Sequence, residues 1–227
     1  MPRIFAAFCV LVVPVAALAA GIADISNRDA VAGLKEALTN GAHAAVAKLG
    51  QDNGFFGDDR VKILLPESFK KAENLMRRLG MGKQADELIL RMNRAAEAAV
   101  PEARALLIDS VKRMSVEDAK GILTGGEDAA TQYFRRTMSE PLAQRFHPIV
   151  VKAMEKVSLA ESYDRFASRG VRLGLVHKED ANLEDYITRR ALDGLFLVIA
   201  EEEKKIRRDP MAAATAILRK VFGALTR

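Results

Sequence analysis

Beyond Ala19, apolar side chains recur every three or four residues over most of the chain, the period of helices with one face turned inward. Val31, Leu34, Leu38, Ala42, Ala45 and Leu49 form one stripe, with Gly41 weakening its middle. Phe69, Ala72, Leu75 or Met76, and Leu79 form the next. Ala85, Leu88, Ile89, Met92, Ala96 and Ala99 form a third. Pro101 then reads as the first position of a new helix carrying Leu106, Leu107 and Val111. Short helices are predicted around Val116 to Leu123 and Glu127 to Met138. Ser139-Glu140-Pro141 opens a further one, which Pro148 should kink or end. A long helix is predicted from about Leu183 to Arg207. Its run from Gly194 to Ala200 is apolar on every side, which places that helix at the centre of a bundle. Asp209-Pro210 opens a terminal helix with Met211, Ala214, Ile217, Leu218, Val221, Phe222 and Leu225 on one face.

Polar punctuation fits this reading. Ser26, Ser115, Thr124, Ser158 and Asn182 each stand three residues before an acidic side chain (Asp29, Asp118, Glu127, Glu161 and Asp185). That spacing puts an acceptor at a helix start and a carboxylate in its positive first turn. Gly50, Gly80 and Gly125 follow amphipathic runs and predict left-handed C-terminal caps. Two stretches depart from helical period. Residues 51–60 are polar and glycine-containing and read as a loop pinned by Phe55 and Phe56. Val61, Ile63 and Leu65 then alternate as a strand would, as do Val171, Leu173 and Leu175. The two either pair as a short β-ribbon or run as extended linkers packed on helices. The predicted fold is thus all-α, a single multi-helix bundle over residues 20–227 with room for one two-stranded ribbon.

The first nineteen residues read differently. Arg3 is followed by an apolar stretch from Ile4 to Leu18, and Ala17-Leu18-Ala19 offers small residues to a signal peptidase. The stretch falls short of the roughly 20 residues a stable span needs and contains Pro14. A signal peptide cleaved near Ala19 and a periplasmic destination follow as expectations. Cys9 is the only cysteine and lies within the leader, so the remaining chain lacks thiol chemistry. The net charge of +5 arises from interspersed charges without a basic stripe carrying stacking aromatics, which argues against nucleic acid as a partner.

Catalytic patterns are missing from the text of the chain. His43, His147 and His177 stand outside any zinc or di-iron spacing, and there is no nucleophile elbow, P-loop or dinucleotide fingerprint. No cofactor and no metal is predicted. His177 to Asp180 reads as a solvated turn, and the acidic loop Asp52, Asn53, Asp58, Asp59 lacks the calcium-loop spacing. Glu201-Glu202-Glu203 with Lys204, Lys205, Arg207 and Arg208 reads as a solvated, ion-paired face. The more promising polar groups are Asn93 with Glu97 and Gln132 with Arg136, each pair sharing a helix face, Tyr133 beside the second pair, and Asp193 within an apolar stretch. Burial of Asp193 would require a partner, with Arg189 or Arg190 the local choice. These six candidates either form an internal network or line a ligand pocket between helices.

Leu65-Pro66-Glu67-Ser68-Phe69, Gly82 to Leu88 with Met92 to Glu97, Leu123 to Phe134, and Ala191 to Phe196 together resemble a family of exported bacterial proteins catalogued as a domain of unknown function. The resemblance runs from about Asn27 to Leu225. It implies an exported helical protein and assigns no residue a role. The leading functional expectation is a non-enzymatic periplasmic protein that binds an apolar small molecule, a lipid or an envelope protein. Competing expectations are an envelope enzyme using Glu127, Asp128, Tyr133 and Asp193 as acid and base groups, and membrane association through the terminal helix, where Arg219, Lys220 and Arg227 flank the apolar face.

Overall fold

The computed structural model describes residues 27–172 and 182–209. Within them the chain forms seven helices: α1 (Asn27–Leu49), α2 (Glu67–Arg78), α3 (Lys83–Arg113), α4 (Val116–Thr124), α5 (Ala129–Lys156), α6 (Leu159–Arg172) and α7 (Leu183–Arg208). The leader, the terminal segment from Pro210 onward and the cluster His177 to Asp180 lie outside the described residues.

The predicted stripes become the core. Leu34, Leu38, Ala42, Ala45 and Leu49 of α1, Phe69, Ala72 and Met76 of α2, and Ala85, Leu88, Met92, Ala96 and Ala99 of α3 are all buried. Leu79 is not, because it falls at the C-terminal cap of α2 and points outward. α3 lies at the centre, packed against α1, α5, α6 and α7. α2 joins through Phe69, whose ring meets Tyr163 and Phe166 of α6 at 6.0 and 5.5 Å.

α7 is therefore not the central helix that its apolar run implied. It packs on α1, α3 and α5 along one side, while Leu197 and Asp193 face water on the other. A helix with three packing neighbours on its buried side can leave an isolated Leu exposed on the other at little cost.

Prolines produce fewer breaks than expected. Pro101 lies inside α3, and Pro141 and Pro148 lie inside α5, so four predicted helices become two long ones. A proline inside a helix frees the carbonyl four residues earlier. For Pro141 and Pro148 those carbonyls belong to Thr137 and Gln144, both exposed, so water can take the place of the missing N–H donor.

Helix ends agree in part. Ser115 and Asp118 form a reciprocal capping box at α4, and Asn182 accepts from the Asp185 amide at 3.0 Å at α7. Thr124 caps nothing. It is the last residue of α4 and donates to the Lys120 carbonyl. Ser158 precedes α6 in a left-handed conformation (φ 51°) rather than the extended one of a typical N-cap. Gly80 takes the expected left-handed conformation (φ 73°), whereas Gly125 is extended. Gly50 serves proximity instead: a Cβ there would sit 2.8 Å from the Pro101 ring.

The β-ribbon is absent from the described residues. Val171 belongs to α6; Val61 closes a turn, its amide donating to the Asp58 carbonyl at 3.0 Å, and Ile63 and Leu65 follow in a segment without regular structure or a partner strand. Their alternation is real: all three are buried while Leu64 is exposed.

Candidate functional site

The partner of that segment is a side chain. Asn93, on the buried face of α3 and 0% exposed, accepts from the Ile63 amide at 2.8 Å and donates to the Ile63 carbonyl at 2.8 Å. A carboxamide offers one acceptor and a pair of donors, so it can satisfy both backbone groups of one residue as a neighbouring strand would. Its second donor hydrogen reaches the Ile89 carbonyl at 2.7 Å. One turn on, Glu97 is 3% exposed, and its Oε1 accepts from the amides of Phe55 and Phe56, each at 3.0 Å. Its Oε2 pairs with Arg94, whose other nitrogen donates to Asn53 at 3.0 Å.

Asn93 and Glu97 thus fasten residues 50–66 to α3. Phe55 enters the core against Gly194 of α7, where a Cβ would lie 2.8 Å from the ring. Arg60 pairs with Asp58 and Glu201, and Lys48 stands 3.7 and 3.5 Å from the same two carboxylates. The hydrogen bond from Arg60 holds the Asp58 carboxyl down at about 2. Tyr186 donates to the Leu64 carbonyl at 3.0 Å, and burial raises its hydroxyl above the ordinary phenol range.

The other candidates lie elsewhere. Gln132 is exposed and donates to Asp128, and Arg136 is exposed on the same face of α5. Tyr133 leans toward α4, 3.4 Å from Asp118; burial first, then that carboxylate, pushes its hydroxyl upward. Asp193, with its side chain 53% exposed, stands 3.4 Å from Arg135 and 3.9 Å from Arg190. The six candidates do not converge on one pocket. Nor do the four acid and base candidates, since Glu127 faces Arg208 and Asp128 faces Gln132.

Glu203 was missed. Instead of a solvated face it occupies the core edge, 6% exposed, and accepts from the Ala130 and Thr131 amides at 2.9 and 3.0 Å and from the Thr131 hydroxyl at 2.9 Å. It caps α5 from a helix more than seventy residues away, and Arg207 neutralises it at 2.9 Å. The hint was positional, because Glu203 falls one turn after buried Ile199 on the apolar stripe of α7.

Two open grooves among the described residues bear on ligand binding. One, of about 670 Å³, lies between the end of α5, the start of α6 and the start of α7, with Val151, Met154, Leu159, Tyr163 and Leu183 among its lining residues. The other, of about 450 Å³, lies between α3 and the end of α5 and is lined by Leu90, Arg91, Arg94, Ala98, Lys156 and Val157, among others. Among the described residues no cluster of His, Cys, Asp and Glu could hold a metal, and no helix is long and apolar enough to cross a membrane.

A family model matches residues 24–223, most of the chain. The chain belongs to the family described as Protein of unknown function (DUF4197). No curated protein and no solved structure matches it. Family membership agrees with the resemblance carried by the four quoted segments, and the DUF4197 structure now gives one of them a physical role. Met92 to Glu97 carries both loop-fastening side chains, Asn93 and Glu97.

Proposed function

We propose that this DUF4197 chain is an exported, non-enzymatic binding protein that holds an amphipathic molecule in the groove between α5, α6 and α7. The observation that carries the reading is the groove's lining. Val151, Met154, Leu159, Tyr163 and Leu183 supply an apolar bed, and Ser158, Asn182, Glu155, Glu161 and Glu184 supply polar edges. Its volume of about 670 Å³ falls within the roughly 300–1,000 Å³ usual for small-molecule sites. A largely apolar bed with a few polar groups at its margin suits a ligand that has one apolar end and one wet end. The export half of the reading rests on the apolar stretch from Ile4 to Leu18 and the small residues after it.

The test is native purification from the cell envelope followed by denaturing mass spectrometry of an organic extract. An amphipathic species should accompany the parent protein and be depleted in Val151→Trp and Met154→Trp, which fill the groove from its exposed side. Repeated preparations without such a species, or equal recovery from the Trp variants with unchanged circular dichroism, would remove the ligand reading. Recovery of the full-length leader in the cytosolic fraction would remove the export reading.

A further inference from the structure

We propose that the groove between α3 and the end of α5 is a separate binding site for a dianionic organic phosphate, and this does not rest on the apolar groove above. Three cationic side chains, Arg91, Arg94 and Lys156, line a space of about 450 Å³. Arg91 and Arg94 share a face of α3 at i and i+3. Two of the three lack a carboxylate of their own. Arg91 pairs with Glu87 at 3.5 Å but shares that oxygen with Arg165, which holds it at 2.8 Å. The Arg91 Nε is buried without a hydrogen-bond partner. Lys156 forms no ion pair among the described residues.

The carboxylates lining the groove, Glu97 and Asp52, offset part of this charge and leave it net positive. Both oxygens of Glu97 are occupied, one by the Phe55 and Phe56 amides and one by Arg94. Asp52 alone remains, exposed at the edge. Arg94 is fixed between Glu97 and Asn53, so it forms a rigid positive wall rather than a mobile one. A guanidinium with an unsatisfied donor and a free ammonium match the charge of a phosphate monoester better than that of a single carboxylate. Leu90, Ala98 and Val157 add an apolar wall for the organic part.

Calorimetric titration of the full chain with phenyl phosphate, inorganic phosphate and phenylacetate tests the assignment. Phenyl phosphate should bind saturably and more tightly than either of the others. Arg91→Gln and Lys156→Gln should each weaken it roughly tenfold or more, as loss of one charge-assisted contact implies. Lys152→Gln, an exposed cation one turn earlier on α5 and outside the groove, should leave it unchanged. Co-sedimentation with phosphatidylcholine vesicles containing phosphatidic acid separates the sources. Vesicle binding lost in Arg91→Gln assigns a lipid headgroup, and phenyl phosphate binding without vesicle binding assigns a soluble ester. Absence of both kinds of binding, tighter phenylacetate binding, or affinity unchanged in Arg91→Gln and Lys156→Gln variants that keep the parent circular dichroism would overturn the proposal.

Discussion

Asn93→Leu tests the reasoning most directly, because it keeps the branching and heavy-atom count of the side chain and deletes its polar atoms. Asn93 and Ile63 are both 0% exposed, so water cannot replace the lost contacts. The substitution leaves the Ile63 N–H and C=O without partners, whereas the Ile89 carbonyl can retain its ordinary helical bond. Each orphaned group costs about 1–3 kcal/mol, which sets the total at about 2–6 kcal/mol. That is a large share of the roughly 5–15 kcal/mol by which domains are usually stable. Urea unfolding followed by circular dichroism measures it, and hydrogen exchange at the Ile63 amide localises it. Asn93→Asp supplies a second measure with a definite sign. Its carboxylate would oppose the Ile63 and Ile89 carbonyls, so burial and repulsion raise its folded pKa above the unfolded value of about 3.9. A raised folded pKa means stabilisation that is fully present below about pH 4 and lost as pH climbs through the folded value. The deficit against the parent should therefore widen from pH 4 to pH 7. A Leu variant within about 1 kcal/mol of the parent, or a flat Asp deficit over that range, would refute the claim that Asn93 replaces a partner strand.

Glu203→Ala strips the Ala130 and Thr131 amides of their acceptor and leaves Arg207 without its carboxylate, so a loss of about 3–5 kcal/mol is expected in thermal unfolding. Gly194→Ala places a Cβ 2.8 Å from Phe55 and 3.2 Å from Val61. Overpacking of about 1–3 kcal/mol should outweigh the roughly 1 kcal/mol gained in helix propensity, and Phe55→Leu in the same background should recover part of the difference. Asp58 has a depressed folded pKa of about 2, so its contribution is present above about pH 4 and lost as pH falls toward 2. The stability difference between parent and Asp58→Asn should shrink over that window, from a starting value of no more than about 1 kcal/mol. Ser158→Gly relieves a left-handed conformation and should raise stability by up to about 1 kcal/mol, read from the denaturant midpoint.

The helices were legible because burial repeats at a period the chain displays. The prolines misled because their cost depends on where the freed carbonyl points, and only the fold shows that Thr137 and Gln144 face water. The alternation of Val61, Ile63 and Leu65 corresponds to a segment with one buried face, although Val61 itself closes a turn and no strand forms among the described residues. It could not indicate the partner, since a buried N–H and C=O accept any donor and acceptor of suitable geometry, and a carboxamide thirty residues away meets that need as well as a strand.

The same asymmetry governs the candidate site. Asn93 and Glu97 were visible as a polar pair on an otherwise apolar helix face, but their recipients are backbone amides, which carry no mark in the sequence. Once those recipients are known, the pair is saturated by the chain itself, and so is Glu203. A saturated buried group gains nothing from a ligand unless the ligand first breaks bonds that hold the loop or the helix end in place. Recognition chemistry is better sought where a donor is desolvated and still unpartnered. Arg91 comes nearest to that condition, with its Nε buried and unpartnered and its Glu87 shared with Arg165, in a groove open enough to admit a molecule; the fixed position of its neighbour Arg94 follows from the same Glu97 that fastens Phe55 and Phe56. The clamp that builds the loop thereby also sets the electrostatics of the groove beside it.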